Sequence, residues 1–312
     1  MALQPDIRVD RVLTFIANGY HNAQFIAENL FPTVPVDFGT GKIPKFGKEA
    51  FRVYKTERAL LAKSNVIRGY MTDLLQYNTM EHDAKSEIDY ITIKNSELDV
   101  KKRAVTACMD AIMLSNEVKA AQLAFDPATY ATTGNTKTFT TGEYLSITTN
   151  DPVEIIIEEA LNPVRDSIGE YPNNLIMGAG VWQLLRRHPK LKEYLASTSD
   201  KIITVEYLAK LLEVDNIFIG RARHTLDDKT YSDVWGNGIC AFYKKPPTDV
   251  NASIMEPNFG YRLQVKGHPY SDVGEEEGGK IQWVRSTDNF DLKVVGEDAA
   301  FFMKNVIDPA LF

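Results

Sequence analysis

An α+β fold is the class this 312-residue sequence predicts, and three observations carry the prediction. Residues 151–219 alternate apolar runs of strand length with stretches of helical periodicity. From Asp233 onward the apolar residues gather into short strand-like runs. Ahead of both, Ser96 to Phe125 reads as one uninterrupted helix, which at ~1.5 Å per residue would run about 45 Å. That is far beyond the ~11–12 residues of an average helix, so the segment is expected to be a structural spine.

The elements follow in chain order. Val9, Leu13, Ile16, Tyr20, Ala23, Ala27 and Leu30 recur at helical spacing, with a break expected at Gly19. Phe31-Pro32-Thr33-Val34-Pro35 stops the helix, because proline cannot continue it and drives its predecessor to extended geometry. Next come two blocks of opposite charge. Residues 41–68 carry Lys42, Lys45, Lys48, Arg52, Lys55, Arg58, Lys63 and Arg68 against two carboxylates. Residues 69–99 carry seven carboxylates, among them Asp73, Glu81, Asp83 and Glu87, against two lysines. The strands expected here, Phe51–Tyr54 and Tyr90–Ile93, are short, and so polar a stretch cannot bury a core of its own. It is expected to project as a long two-stranded arm, although two ordinary solvated faces would give the same charge pattern.

In the spine, Ser96 is placed to cap the helix, with Asp99 three residues on, and Val105, Cys108, Met109, Ile112 and Met113 form its apolar stripe. Residues 129–150, rich in Thr and Gly, read as a hairpin or loop. Asp151-Pro152-Val153-Glu154 opens a helix with an acidic cap and proline at its first position. Asn174–Met177 and Asn216–Ile219 read as strands, Val181–Arg187 as a helix ended by Pro189, and Thr204 as the cap of Val205–Leu212. The later strands are expected at Ile239–Tyr243, Tyr261–Val265, Ile281–Arg285, Leu292–Val295 and Ala300–Val306, with Ser271–Gly279 as an exposed hairpin tip.

Composition excludes several classes. With 44% apolar and 25% charged residues the chain is neither disordered nor a rod. Its longest apolar runs, such as Ala299–Met303, fall far short of the ~18 residues needed to span a bilayer. Asp6, Arg8 and Asp10 stand where a secretion signal needs an apolar core. Cys108 and Cys240, both in apolar surroundings, read as reduced and buried. A net charge of −7 is opposite to that of a tight nucleic-acid binder.

No catalytic or cofactor motif survives inspection. Gly178-Ala179-Gly180 lacks the third glycine of a dinucleotide loop, since position 183 is Gln183. Gly39-Thr40-Gly41-Lys42 lacks both the first glycine and the hydroxyl residue of a phosphate loop, with Val36 and Ile43 in those places. His21, His82, His188, His224 and His268 show no metal-binding spacing. No catalytic residue, metal or cofactor is expected.

The order of features is more informative than any one of them. Leu30-Phe31-Pro32-Thr33-Val34-Pro35-Val36 closes a helical arm, and Gly41-Lys42-Ile43-Pro44-Lys45-Phe46 enters the charged hairpin before the spine helix. Then follow Asp151–Glu154, Pro172–Met177, Val181–Leu185, His188-Pro189, the Leu208–Ile219 helix–strand pair and Val234-Trp235-Gly236. Across essentially the whole chain this series resembles the major capsid proteins of tailed bacteriophages, with the Hong Kong 97-type fold. The resemblance implies an N-terminal arm (1–36) and an extended loop (37–93). It implies a peripheral domain (94–150 and 244–298, spine helix 96–125) and an axial domain (151–243 and 299–312). It also implies a non-enzymatic subunit of an icosahedral head, assembled in the host cytoplasm into hexamers and pentamers around double-stranded DNA that it touches non-specifically. The implied partners are a separate scaffolding protein, because the chain reaches the arm directly from Met1, a portal and decoration proteins, with no membrane. The twelve charged residues named in the hairpin, from Lys42 to Glu87, are the expected inter-subunit contacts. An encapsulin-like nanocompartment shell and a soluble α/β enzyme are the alternatives.

Overall fold

The computed structural model describes residues 8–20, 22–45, 56–58, 63–65, 74–96, 98–195, 203–225, 227, 229–245 and 258–311. The chain opens with β1 (Arg8–Val9) and α1 (Arg11–Asn18), so Val9 lies in a strand rather than the expected helix. Asp10 caps α1, its carboxylate accepting the Val12 and Leu13 N–H groups at 2.9 and 3.1 Å. After the break at Gly19 come α2 (Ala27–Leu30) and β2 (Thr33–Val36), whose Pro35 is tolerated because β2 is an edge strand.

The charged region divides differently from expectation. β3 (Thr40–Pro44) pairs antiparallel with β4 (Leu74–Asn78), forming the base of a hairpin. β5 (Met80–Asp89) instead pairs with a strand of the main sheet along its whole length. The expected strand Tyr90–Ile93 is a helix, α3 (Tyr90–Asn95), because the partner strand begins opposite Asp89 and offers no ladder beyond it. Asp89 caps that helix through the Ile91 N–H at 2.8 Å. The expected strand Phe51–Tyr54 lies outside the described residues.

The spine helix α4 (Val100–Ala124) starts four residues later than the sequence suggested. Its cap is Asp99, which accepts the Lys102 N–H at 3.0 Å, while Ser96 is spent on a local turn with Leu98. The turn-rich connection that follows contains β6 (Thr136–Thr138). Asp151 caps α5 (Pro152–Ile156), which passes through a π-helical turn into α6 (Asn162–Ile168). Then come β7 (Asn174–Gly178), α7 (Ala179–Leu185), α8 (Pro189–Leu195), α9 (Val205–Leu211) and β8 (Asn216–Gly220). Pro189 therefore begins a helix as well as ending one, since the first helical position needs no N–H.

The last quarter holds β9 (Arg223–Thr225), β10 (Tyr231–Asp233), β11 (Gly238–Phe242), β12 (Gly260–Val265), β13 (Tyr270–Glu276), β14 (Ile281–Val294) and β15 (Ala300–Lys304). Two expectations fail here for one reason: polar residues are buried and satisfied inside strands. Ser271 and Asp272, read as an exposed tip, lie in β13, where Ser271 Oγ meets Ser286 Oγ at 2.9 Å and Asp272 pairs with Arg285 at 2.7 Å. The gap between the strands expected at Ile281–Arg285 and Leu292–Val295 is closed, because buried Asp288 pairs with Arg262 and accepts from Gln264 at 2.7 Å.

Two sheets organise the molecule. One runs β1-β13-β14-β12-β2, with β5 also on β14, and the other runs β6-β15-β11-β7-β8. The first half of α4 lays Ala104, Val105, Met109 and Ile112 on the first sheet, together with Leu13 and Ala17 of α1. Its second half lays Ala120, Ala121 and Ala124 against Trp235, Phe242 and Phe302 of the second sheet's side. Alanine on this face lets the helix approach closely, so one rigid rod joins both cores. Among the described residues no helix is long and apolar enough to cross a membrane.

Candidate assembly surfaces

The hairpin base is the best-defined of the charged elements. Gly41 lies under the ring of Tyr77, where an added Cβ would stand 2.6 Å from the phenolic oxygen. Only glycine fits this approach, which gives Gly41 a packing role in place of the phosphate-loop role the motif had failed. Tyr77 and Ile43 are buried with Val34, Val36, Tyr261 and Leu263, anchoring the base to the first sheet. The Tyr77 hydroxyl donates to the Phe38 carbonyl at 3.2 Å, and the Asn78 N–H donates to Asp291 at 3.2 Å.

The predicted contact residues fall into three groups. Lys42 is exposed on the base, and Lys45 is held by Glu297 at 3.1 Å. Arg58 and Lys63 are exposed beyond it, and Lys48, Arg52, Lys55, Arg68 and Asp73 lie outside the described residues. Glu81, Asp83 and Glu87 point outward from β5. Among the described residues the basic and acidic blocks do not pair with each other. Glu87 instead meets Lys85 of its own strand at 3.0 Å, and Lys85 also meets Glu276 at 2.7 Å. The reason is the alternation of β5: His82, Ala84, Ser86 and Ile88 face α4, with the His82 ring stacked 4.4 Å from Phe290, which leaves the carboxylates on the opposite face.

Sequence reading missed the exposed apolar side chains. Val12 and Phe15 on α1 are 69% and 78% exposed, and Phe38 beside the hairpin base is 75% exposed. Spaced three apart, Val12 and Phe15 share a face of α1 turned away from buried Leu13 and Ala17. The helical period was legible, but both faces of α1 being apolar was the unread signal.

A buried carboxylate fastens the arm to both sheets. Glu117, fully buried in mid-spine, accepts the Ile26 and Ala27 N–H groups, each at 2.9 Å, and the Trp235 Nε1–H at 2.6 Å. Burial raises its carboxyl above the ordinary range, while the three donors pull the other way. One turn and a half earlier, the Tyr20 hydroxyl donates to Asp110, and burial with that bond pushes Tyr20 up to about 12. Trp235 itself is wedged where an added Cβ on Gly220 would stand 2.2 Å from its ring, and Gly178 packs against the Trp235 and Gly236 carbonyls. The two glycines of the failed nucleotide motif region thus serve close packing. Among the described residues no cluster of His, Cys, Asp and Glu could hold a metal.

No protein-family model matches the chain. It is 38% identical over 299 residues to the major capsid protein of Burkholderia phage BcepMu, covering 96% of each chain. It is 26% identical over 324 residues to the major capsid protein of Pseudomonas phage JBD67, covering 96% of this chain and 97% of that one. A phage-related protein from Bordetella bronchiseptica RB50, known from its crystal structure, superposes with a TM-score of 0.83 at 29% identity, covering 98% of this chain and 100% of the other. The arrangement of arm, hairpin, spine and two sheets is the Hong Kong 97-type capsid fold. Both curated relatives are phage capsid proteins, so the encapsulin-like alternative is the weaker one, and the family is structural rather than enzymatic. The chain belongs to the family of bacteriophage major capsid proteins, the structural subunits of the virion head.

Proposed function

We propose that the subunits close into rings of six and five, and that the segment between β3 and β4 reaches over a neighbouring subunit of the shell. The observation that carries this is the hairpin base: two strands locked to the sheet by Tyr77 and Ile43, from which residues 45–73 leave and return. In this reading the first sheet and the front of α4 form the peripheral part, and the second sheet forms the part facing the ring axis. Lys42, Arg58 and Lys63 on one side and Glu81, Asp83 and Glu87 on the other act between copies rather than within one. Each exposed ion pair is worth only ~0–1 kcal/mol, so their work is register. Affinity comes from apolar patches such as Val12 and Phe15.

The same proposal includes a separate scaffolding protein, a portal, decoration proteins and packaged double-stranded DNA held non-specifically. The net charge of −7 supports a container that confines DNA without gripping it. The test replaces residues 46–72 by a short Gly-Ser bridge and follows particles by electron microscopy. Loss of closed shells with a folded subunit is expected, and shells of normal yield would overturn the role given to the segment.

A further inference from the structure

One end of the first sheet carries a surface that neither the hairpin nor α1 uses. There β13 turns into β14, β5 ends, and α3 and α4 begin, with the Tyr90 N–H bonded to the Lys280 carbonyl at 3.0 Å. Three apolar side chains stand in solvent at this end: Tyr90 (44% exposed), Ile91 (50%) and Leu98 (74%). α3 itself buries no residue, although its Tyr-Ile-Thr-Ile sequence favours strands over helices. A helix of one and a half turns is not stable by propensity, so this surface is expected to be covered by something.

The charges around the apolar centre are of two kinds. On one flank, Lys102 and Arg103 in the first turn of α4 and Lys94 at the end of α3 are exposed, without an ion pair among the described residues. Of the two carboxylates in residues 94–103, Asp99 is occupied as the helix cap and Glu97 lies outside the described residues. Cations in a first turn oppose the helix dipole, so α4 does not gain from them. On the other flank, the β13–β14 turn exposes Glu275 and Glu277, again with no cation bound among the described residues.

We propose that this end of the sheet is a self-complementary contact between copies, the cationic flank of one subunit meeting the acidic β13–β14 turn of the next across Tyr90, Ile91 and Leu98. Two unlike flanks on one surface make the contact head-to-tail, which closes only around a rotation axis. The apolar centre favours protein over DNA as the partner, because a phosphate backbone would leave Leu98 and Ile91 uncovered. This inference rests on the shell reading and adds a second contact to it, separate from the β3–β4 segment.

The test is a charge swap in the full-length protein: Lys102→Glu with Arg103→Glu, Glu275→Lys with Glu277→Lys, and all four together. Reversal on α4 places carboxylates where the dipole favours them, so helix loss cannot explain a failure to assemble. Each pair alone is expected to lower shell yield about tenfold or more through like-charge apposition, and the fourfold variant to recover most of it. Unchanged yield from either pair, or no recovery in the fourfold variant, overturns the contact. Normal shells that package less DNA with Lys102→Glu and Arg103→Glu would assign the cationic flank to DNA instead. Wild-type protein in the same preparation separates the two claims: if it too forms no shells, the shell reading fails, not this contact alone.

Discussion

Replacing Glu117 by Gln removes one charge and changes no shape, yet it strikes the point where arm, spine and second sheet meet. The carboxylate receives three N–H donors and donates nothing. An amide can keep its oxygen toward Ile26 and Trp235, which share Oε1, but its NH2 then faces the Ala27 N–H across a buried gap. One charge-assisted bond, worth about 1.5–3 kcal/mol, is lost, and a buried donor is left unpaired at about 1–3 kcal/mol. Relief of the buried charge offsets part of this, so a net loss of about 2–3 kcal/mol is expected. Glu117→Ala strands all three donors and should cost more, about 3–5 kcal/mol. Urea unfolding of the dissociated subunit, followed by tryptophan fluorescence, measures both. Limited proteolysis should show cleavage near residues 19–26 appearing first, as the arm lifts. A Glu117→Gln subunit within about 0.5 kcal/mol of wild type, with an equally protected arm, would refute the assignment.

Further outcomes follow from the same geometry. Because burial raises the Glu117 carboxyl, the folded state holds its proton to higher pH than the unfolded chain does. Its stabilising contribution is therefore full below the ordinary carboxylate range and is lost as pH rises through the raised value; wild type should gain on Glu117→Gln as pH falls through that window, and a pH-independent difference would contradict this. Gly41→Ala forces a methyl to within 2.6 Å of Tyr77 Oη and should cost about 1–3 kcal/mol while loosening the hairpin base, read as lower shell yield. Arg262→Met leaves Asp288 buried and uncompensated, an expected loss of about 3–5 kcal/mol, whereas Arg262→Met with Asp288→Leu should recover most of it in a denaturation series. Phe15→Ser should leave subunit stability within about 0.5 kcal/mol but reduce assembly, since the ring is 78% exposed.

What the sequence made legible was local chemistry. Asp10, Asp99, Asp151 and Thr204 announce helix starts because a short oxygen side chain satisfies orphan N–H groups, and all four do so in the structure. The buried strands Asn174–Gly178 and Gly238–Phe242 are apolar enough to be read directly. Polar residues that find partners across a sheet are another matter. Ser271, Asp272, Ser286 and Asp288 look like loop residues until their mates are known, and those mates lie on neighbouring strands. Tyr90–Ile93 shows the converse: strand propensity yields when no partner strand extends far enough. Glu117 was hidden for a similar reason, as a lone glutamate in a helix usually faces water. Its signal was position, since Ile112, Asn116, Ala120 and Ala124 continue one stripe at i, i+4 and carry Glu117 with them. The charged hairpin residues were legible as a group by composition, but which of them meet which neighbour depends on copies that a single sequence does not contain.

The most direct test of the central claim is negative-stain electron microscopy with light scattering on the purified protein, alone and with its genomic neighbours' products. Closed shells tens of nanometres across, or capsomer-sized rings, are the predicted result. A monodisperse species of one or two subunits under every condition would contradict the account.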